Sequence, residues 1–196
     1  MNLLQKLRAR WKLVLGLAVL GFIASVTLVI GGAAGLAFTS TEEFCINCHE
    51  MKNNVYAEYK GTIHDQNRTG VRAICTDCHV PRQPVGLILR KIQATGDLYH
   101  HFITGSINTR EKFEAKRYEL ATHVWKRMKE TDSIECRNCH NADKMSTDLQ
   151  TPRAQTRHAK AKAENLTCID CHFGIAHQEP DGPGPQELFP KASKTE

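Results

Sequence analysis

The sequence predicts a mainly α-helical protein with extensive loops, in which one N-terminal transmembrane helix precedes an exported domain. Three observations predict this class. Residues 13–38 carry no charged side chain, residues 111–129 place apolar side chains at helical spacing, and no segment alternates apolar and polar side chains over the length of a strand. The 196 residues suit one modest domain plus an appendage.

The apolar run at residues 13–38 is long enough to cross a membrane. As a helix it would span roughly 39 Å, more than the roughly 30 Å hydrocarbon core requires. A cleaved secretory signal is the alternative, but its apolar region is only about 7–15 residues long. We therefore expect a single-pass anchor. Four cations precede the run: Lys6, Arg8, Arg10 and Lys12. They predict an inner-membrane protein with residues 1–12 in the cytoplasm and everything after residue 40 outside, in the periplasm.

The charge of the exported part argues against nucleic-acid binding. The formal net charge is +5, and the four N-terminal cations account for most of it. The rest of the chain is close to neutral and has no basic tract with interleaved aromatic residues. We expect contact with membrane lipid instead.

The eight cysteines form four C-x-x-C pairs, and a histidine follows each pair. The pairs are Cys45 and Cys48, Cys75 and Cys78, Cys136 and Cys139, and Cys168 and Cys171, followed by His49, His79, His140 and His172. C-x-x-C-H is the attachment sequence of haem c, because two thioethers fix the porphyrin while the next residue offers an imidazole to the iron. Disulfides, zinc or a thiol redox pair would not require a histidine after every pair. The sequence therefore predicts four covalently bound haem c groups.

Four haems in so short an exported domain would supply much of its apolar core. We expect helices and loops wrapped around porphyrins. The helix predicted over residues 111–129 has an apolar stripe made of Phe113, Leu120, Ala121, Val124, Trp125 and Met128. Trp125 is expected to pack against a porphyrin or a neighbouring helix.

The motifs are arranged as two duplicated dihaem modules, residues 39–110 and 111–178. One histidine precedes the second motif of each module at a similar distance, His64 in the first and His158 in the second. Both are candidate distal ligands, and His177 after the last motif is a third. His100 and His101 are weaker candidates, so one haem is short of a strong ligand. The Pro- and Gly-rich residues 179–196 are expected to be flexible.

The segments "TEEFCINCHEM" and "CHFGIAH", with the anchor and the four motifs, resemble the NapC/NirT family of membrane-anchored tetrahaem quinol dehydrogenases. "EKFEAKRYELATHVWKRMKETDSIECRNCH" is similar to the NapC branch in particular. The resemblance implies that the protein takes electrons from the quinol pool and passes them to a periplasmic reductase of the nitrate or nitrite type in anaerobic respiration. The alternatives are a terminal multihaem reductase, for which an under-ligated haem would bind the substrate, and a soluble electron carrier, for which the anchor would have to be cleaved.

The resemblance also implies a quinol site in residues 85–102. Asp97 is the candidate base, and Lys91 matches the basic residue of the family's site. Helical geometry favours Arg90 as the partner of Asp97, because residues seven positions apart share a helix face, whereas residues six apart, such as Lys91 and Asp97, do not. Gly96 is a potential helix break, so both cations remain candidates. The apolar residues 85–89 are expected to lie against the membrane surface.

The first motif offers two iron ligands, His49 and Met51. In the family branch with C-x-x-C-H-x-M, the methionine can hold the first iron and leave the far side open to quinol. A thioether ligand would raise the potential of that haem. The alternative is His49 with His100 or His101 as its distal ligand.

Overall fold

The computed structural model describes residues 2–190 and divides the chain into two compact units, Met1–Phe44 and Cys45–Glu196. All regular elements in the described residues are helical, which confirms the predicted class. The longer helices are α1 (Leu3–Phe38), α5 (Pro84–Phe102), α6 (Arg110–Glu130) and α8 (Pro152–Ala163). The short ones are α2 (Glu42–Cys45), α3 (Tyr56–Tyr59), α4 (Cys75–His79), α7 (Ile134–Arg137) and α9 (Pro185–Leu188). A π-helical turn covers Met51–Val55, and 3₁₀ turns cover Ala142–Lys144 and Cys168–Asp170.

Within the first unit, α1 contains an apolar stretch, Arg10–Phe38, of 29 residues with a mean hydropathy of 2.7. At about 1.5 Å per residue this stretch exceeds the roughly 30 Å of a bilayer core. Its side chains are exposed within the unit. The helix thus has the length and composition of a membrane anchor.

The second unit has a small apolar core centred on α6. Trp125 and Met128 from α6 are buried with Ile169 from the fourth motif. The Trp125 ring meets the ring of Phe173 edge-on, with centroids 5.4 Å apart. Trp125 therefore packs against neighbouring protein, one of the two roles expected for it.

The turn between α6 and α7 uses two consecutive residues in the left-handed region, Asp132 at φ 53° and Ser133 at φ 52°. This turn buries Ser133 completely, and its hydroxyl accepts a hydrogen bond from the Ile169 N–H at 3.2 Å. The turn before the third motif is thereby joined to the fourth motif through one buried hydroxyl.

Part of the predicted flexible tail is packed. Leu188 at the end of α9 and the adjacent Phe189 pack against the core around Trp125. Pro185 is fully buried, and the Tyr118 hydroxyl donates to the Pro183 carbonyl at 3.0 Å. The tail extends to residues 191–196, which lie outside the described residues.

Candidate functional site

The C-x-x-C-H motifs are wound into helical turns. α4 consists of the second motif, Cys75–His79. In the third motif the His140 N–H donates to the Cys136 carbonyl at 2.8 Å, and in the fourth the His172 N–H donates to the Cys168 carbonyl at 2.9 Å. Residues i, i+3 and i+4 share one side of such a turn, so both thiols and the imidazole face the same way. No disulfide joins these cysteines in the described residues 2–190.

Each motif histidine faces one further histidine. The ring centroids are 5.5 Å apart for His49 and His101, 6.2 Å for His79 and His177, 6.1 Å for His140 and His64, and 6.1 Å for His172 and His158. A metal bound about 2 Å from the nitrogen of each of two imidazoles holds their centroids about 6 Å apart. Three pairs have this spacing, and the pair in the first motif is closer. The donor set, two thiols and two facing imidazoles, fits covalent haem c.

Hydrogen bonds orient two of the facing histidines. The Nδ1–H of His177 donates to the Val55 carbonyl at 3.0 Å, and the Nδ1–H of His158 donates to Gln150 Oε1 at 2.7 Å. In both rings the proton on Nδ1 leaves Nε2 free to bind a metal.

Burial keeps several of these histidines neutral. Desolvation by burial, with a smaller contribution from the charge of His177, lowers the pKa of His79 to about 3. Burial also lowers the pKa of His64, His172 and His177. Because neutral imidazole is the form that binds metals, this environment suits axial ligands.

Two of the four pairs cross between the modules. His64 of the first module faces His140 of the second, and His177 of the second faces His79 of the first. The first and fourth motifs are paired within their own modules, through His101 and His158. The internal repeat gives no indication of this exchange.

The first motif differs from the others because a carboxylate lies between its two histidines. The Glu50 side chain is 2% exposed, its Oε1 lies 3.4 Å from His49 Nε2, and it also accepts a hydrogen bond from His101 Nδ1. His100 instead contacts the Ser106 hydroxyl at 3.0 Å. Of the two weaker candidates, the structure therefore brings His101 to the first motif. Glu50 was not among the residues selected from the sequence.

α5 runs without interruption through Gly96, so this glycine does not break the helix. The face shared by Arg90 and Asp97 is therefore continuous, and Arg90 acts electrostatically on Asp97. Lys91 interacts electrostatically with Cys45 of the first motif. The pKa of the Cys48 thiol is raised mainly by burial, then by the charge of Glu50, and then by the charge of Asp97. α5 thus presents the carboxylate of Asp97 and the amine of Lys91 to the first motif.

The electrostatic surroundings move both groups towards neutrality. Desolvation raises the pKa of Asp97 above its ordinary value, and the charges of Arg90 and His100 offset this only in part. Desolvation lowers the pKa of Lys91, and Arg90 adds to the effect. The Asp97 side chain is exposed to solvent, but the surrounding protein still removes part of its hydration. A carboxylate with a raised pKa is a better proton acceptor.

An aspartate closes the turn of the second motif of each module. Asp170 Oδ2 accepts from the Thr167 N–H at 2.8 Å, and Asp77 Oδ2 accepts from the Ile74 N–H at 3.0 Å. Asp170 is buried and pairs with Lys129 Nζ at 2.5 Å. The signal was present in the sequence, since "CTDCH" and "CIDCH" carry aspartate where "CINCH" and "CRNCH" carry asparagine.

A second ion pair supports His177. Glu58 pairs with Arg117, and it also accepts from the Gln178 N–H at 2.9 Å. Each side chain of the pair is 12% exposed. The pair therefore fixes the residue next to His177.

The sequence is similar to a known family over most of its length. The NapC/NirT cytochrome c family, N-terminal region, matches residues 7–182. The Denitrification system component NirT of Stutzerimonas stutzeri is 52% identical over 167 residues, which cover 85% of this chain and 83% of that protein. The Cytochrome c-type protein NapC of Escherichia coli (strain K12) is 46% identical over 185 residues, 92% of each chain.

Two further matches are partial or weak. The Cytochrome c-type protein TorC of Escherichia coli (strain K12) is 49% identical over 180 residues, 92% of this chain but 46% of TorC, so the chain spans about half of that relative. The crystal structure of a cytochrome c nitrite reductase NrfHA complex bound to the HQNO inhibitor matches with a TM-score of 0.40 and 22% identity over 87% of this chain and 93% of that chain.

Proposed function

The chain belongs to the NapC/NirT cytochrome c family, and from this premise we propose that it is a membrane-anchored tetrahaem cytochrome that oxidises quinol at the periplasmic membrane face and passes the electrons to a periplasmic reductase. The observation that carries the proposal is the position of Asp97 and Lys91 beside the two thiols of the first motif. Proton-accepting and hydrogen-bonding groups thus adjoin the first electron-accepting position. The reductase is of the nitrate or nitrite reductase type, and the pathway is anaerobic respiration.

The chain supplies ligands for four one-electron carriers. Haem c, when bound, supplies an iron that cycles between the ferric and ferrous states. The cysteines would hold the porphyrin covalently, and the motif histidines, with His64, His158, His177 and His101 facing them, would offer imidazoles to the iron. In the first motif Met51 remains the rival of His49 as the iron ligand.

Oxidation of one quinol to quinone releases two electrons and two protons. Asp97 is the proton acceptor, because its raised pKa lets the carboxylate bind a proton nearer to neutral pH. Lys91 or Arg90 donates a hydrogen bond to the head-group oxygen. If the haem domain lies outside the membrane, both protons are released on the side where the electrons arrive, and this step moves no charge across the bilayer.

The exposed apolar residues of α5 support an approach to the bilayer. Val85 is 71% exposed, and Leu89 and Ile92 follow it at helical spacing with 54% and 61% exposure. An apolar helix face with charged residues alongside is typical of segments that lie in the membrane interface. α5 would therefore bring Asp97 to the depth at which quinol head groups are found.

The second and fourth motifs meet the third, which supports a continuous electron path. Cys136 and Cys168 share a hydrogen bond. The pKa of Cys78 is raised mainly by burial, then by the charge of Asp77, and then by the charge of Cys139. The attachment positions of three haems are therefore neighbours.

Stopped-flow absorbance of the haem-loaded protein in detergent tests this function. Menaquinol or ubiquinol analogues should reduce the haems with no other protein present. Asp97→Asn should slow the reduction at least about tenfold with unchanged haem content, whereas the exposed control Asp148→Asn should not. Failure of both quinol classes to reduce intact protein would contradict the proposal.

A further inference from the structure

α8 carries a row of cations with no acid among its residues. Its sequence, PRAQTRHAKAKA, contains Arg153, Arg157, Lys160 and Lys162. The helix also carries His158, which faces the histidine of the fourth motif. The cations therefore lie on the element that supplies a facing imidazole to the last haem position.

Three of these cations form one face of the helix. At 100° per residue, Arg153, Arg157 and Lys160 fall within an arc of about 60°, and its centre lies about 130° from His158 around the axis. We call these three residues the basic face. Because His158 points inwards to His172, the basic face is turned away from the haem position and towards solvent.

Most of the charge of the basic face is uncompensated. Lys160 pairs with Glu164 at 3.8 Å, and both side chains are largely exposed. Arg153 and Arg157 are exposed and have no ion pair with an acidic side chain among residues 2–190. An exposed pair such as Lys160 and Glu164 is worth little, so the surface retains a positive potential.

The composition of α8 favours a protein over a lipid surface as the partner. Interfacial helices oppose their cations with large apolar side chains such as Trp, Phe or Leu, and α8 has none of them. An acidic protein surface needs no apolar insertion, because complementary charge accelerates encounter and sets orientation.

We propose that the basic face is the docking surface for an acidic electron-acceptor protein. This inference rests on the proposed function and names the chemistry of the partner. One electron leaves the chain beside His158 and reduces a one-electron centre of the acceptor, with no atom or proton transferred. Charge attraction brings the acceptor to the fourth motif. This motif is at the other end of the electron path from the site at which quinol enters.

The test uses the full, haem-loaded chain in nanodiscs of neutral lipid, reduced with dithionite that is then removed. An acidic blue-copper protein is the acceptor, and haem reoxidation is followed by stopped flow. Arg153→Glu with Arg157→Glu should lower the second-order rate about tenfold at low salt. Arg68→Glu with Arg110→Glu, which makes the same charge change at exposed sites elsewhere, should change it less than about twofold.

Two further arms distinguish docking from other effects. The difference between the two variants should disappear in about 0.5 M salt, where charges are screened within a few Å. A basic cytochrome c used as acceptor should not be slowed by the α8 variant. Equal rates for the two variants with the acidic acceptor, or an effect that appears only in discs of anionic lipid, would overturn the inference.

Quinol-driven haem reduction of the same variants, measured without acceptor, separates the two proposals. The α8 variant should be reduced at the wild-type rate. If the wild-type protein is not reduced by quinol, the proposed function fails, whereas the docking inference is judged only by the acceptor rates.

Discussion

His177 faces His79 across the two modules, with ring centroids 6.2 Å apart and ring planes inclined by 27°. The two residues lie in different modules, yet burial lowers the pKa of both. We therefore predict that each module depends on the other for a ligand and that neither forms all of its haem sites alone.

His177→Ala should convert one haem from low spin to high spin, because the iron attached at the second motif loses its facing imidazole. Electron paramagnetic resonance should show one low-spin signal lost and the remainder unchanged. His123→Ala, on the exposed side of α6, is the control. An unaltered spectrum in the His177 variant would exclude it as a ligand.

The ligand of the first haem is decided by comparing two variants. If Met51 holds the iron and the far side is open to quinol, a high-spin signal should shift on addition of a quinol analogue and disappear in Met51→Leu. If His49 and His101 hold it, His101→Ala should create a high-spin signal that wild type lacks. Four purely bis-histidine low-spin signals in wild type would rule out the methionine ligand.

Asp170→Asn should destabilise the fourth motif more than Asp77→Asn destabilises the second. Asp170 is buried against Lys129, so its neutralisation leaves a charge without its partner and should cost about 1–3 kcal/mol. Asp77 pairs with Arg82, whose side chain is 53% exposed, so the neutralisation of Asp77 should cost less than about 1 kcal/mol. Denaturant unfolding of the holoproteins gives both values, and equal losses would contradict the assigned role of burial.

The ion pair of Glu58 should make stability depend on acid pH. Burial alone raises the pKa of Glu58, but hydrogen bonds from Arg117 and the Gln178 N–H outweigh it, so the pKa lies below its ordinary value of 4.5. A depressed folded-state pKa contributes stability that is present above the unfolded value and is lost as the pH falls through the folded value. The melting temperature should therefore fall as the pH drops below about 4.5.

Glu58→Gln should remove this contribution. We expect a loss of about 1–3 kcal/mol at pH 7 and a flatter dependence of the melting temperature below about pH 4.5. Glu114→Gln, which removes the more exposed partner of Arg117, is the control and should leave the fall of the melting temperature at acid pH unchanged. A fall as steep in Glu58→Gln as in wild type would assign the dependence to another group.

The elements that sequence analysis predicted are those that depend on local spacing. The helix over residues 111–129 is observed as α6, because its apolar stripe follows the helical period. The apolar run of α1 was recognised from its length and its lack of charged side chains. The spacing of each C-x-x-C-H motif also sufficed, since a single helical turn aligns its three reactive side chains.

The candidate site was predictable only as a set of residues. His64, His158 and His177 were selected from the sequence, and all three face a motif histidine. Their partners could not be assigned, because a histidine can serve either module. Glu50 was missed, since its role arises only from the approach of His101.

The sequence by itself predicted the positions of haem attachment, the segment apolar enough to span a membrane, and the residue types around the first motif. Each of these is a property of neighbours along the chain. The tertiary structure decided that His64 and His177 exchange between modules, that Asp97 and Lys91 adjoin Cys48 and Cys45, and that the basic face of α8 turns away from His158. These relationships depend on how helices and loops pack across long sequence separations, which local spacing does not encode.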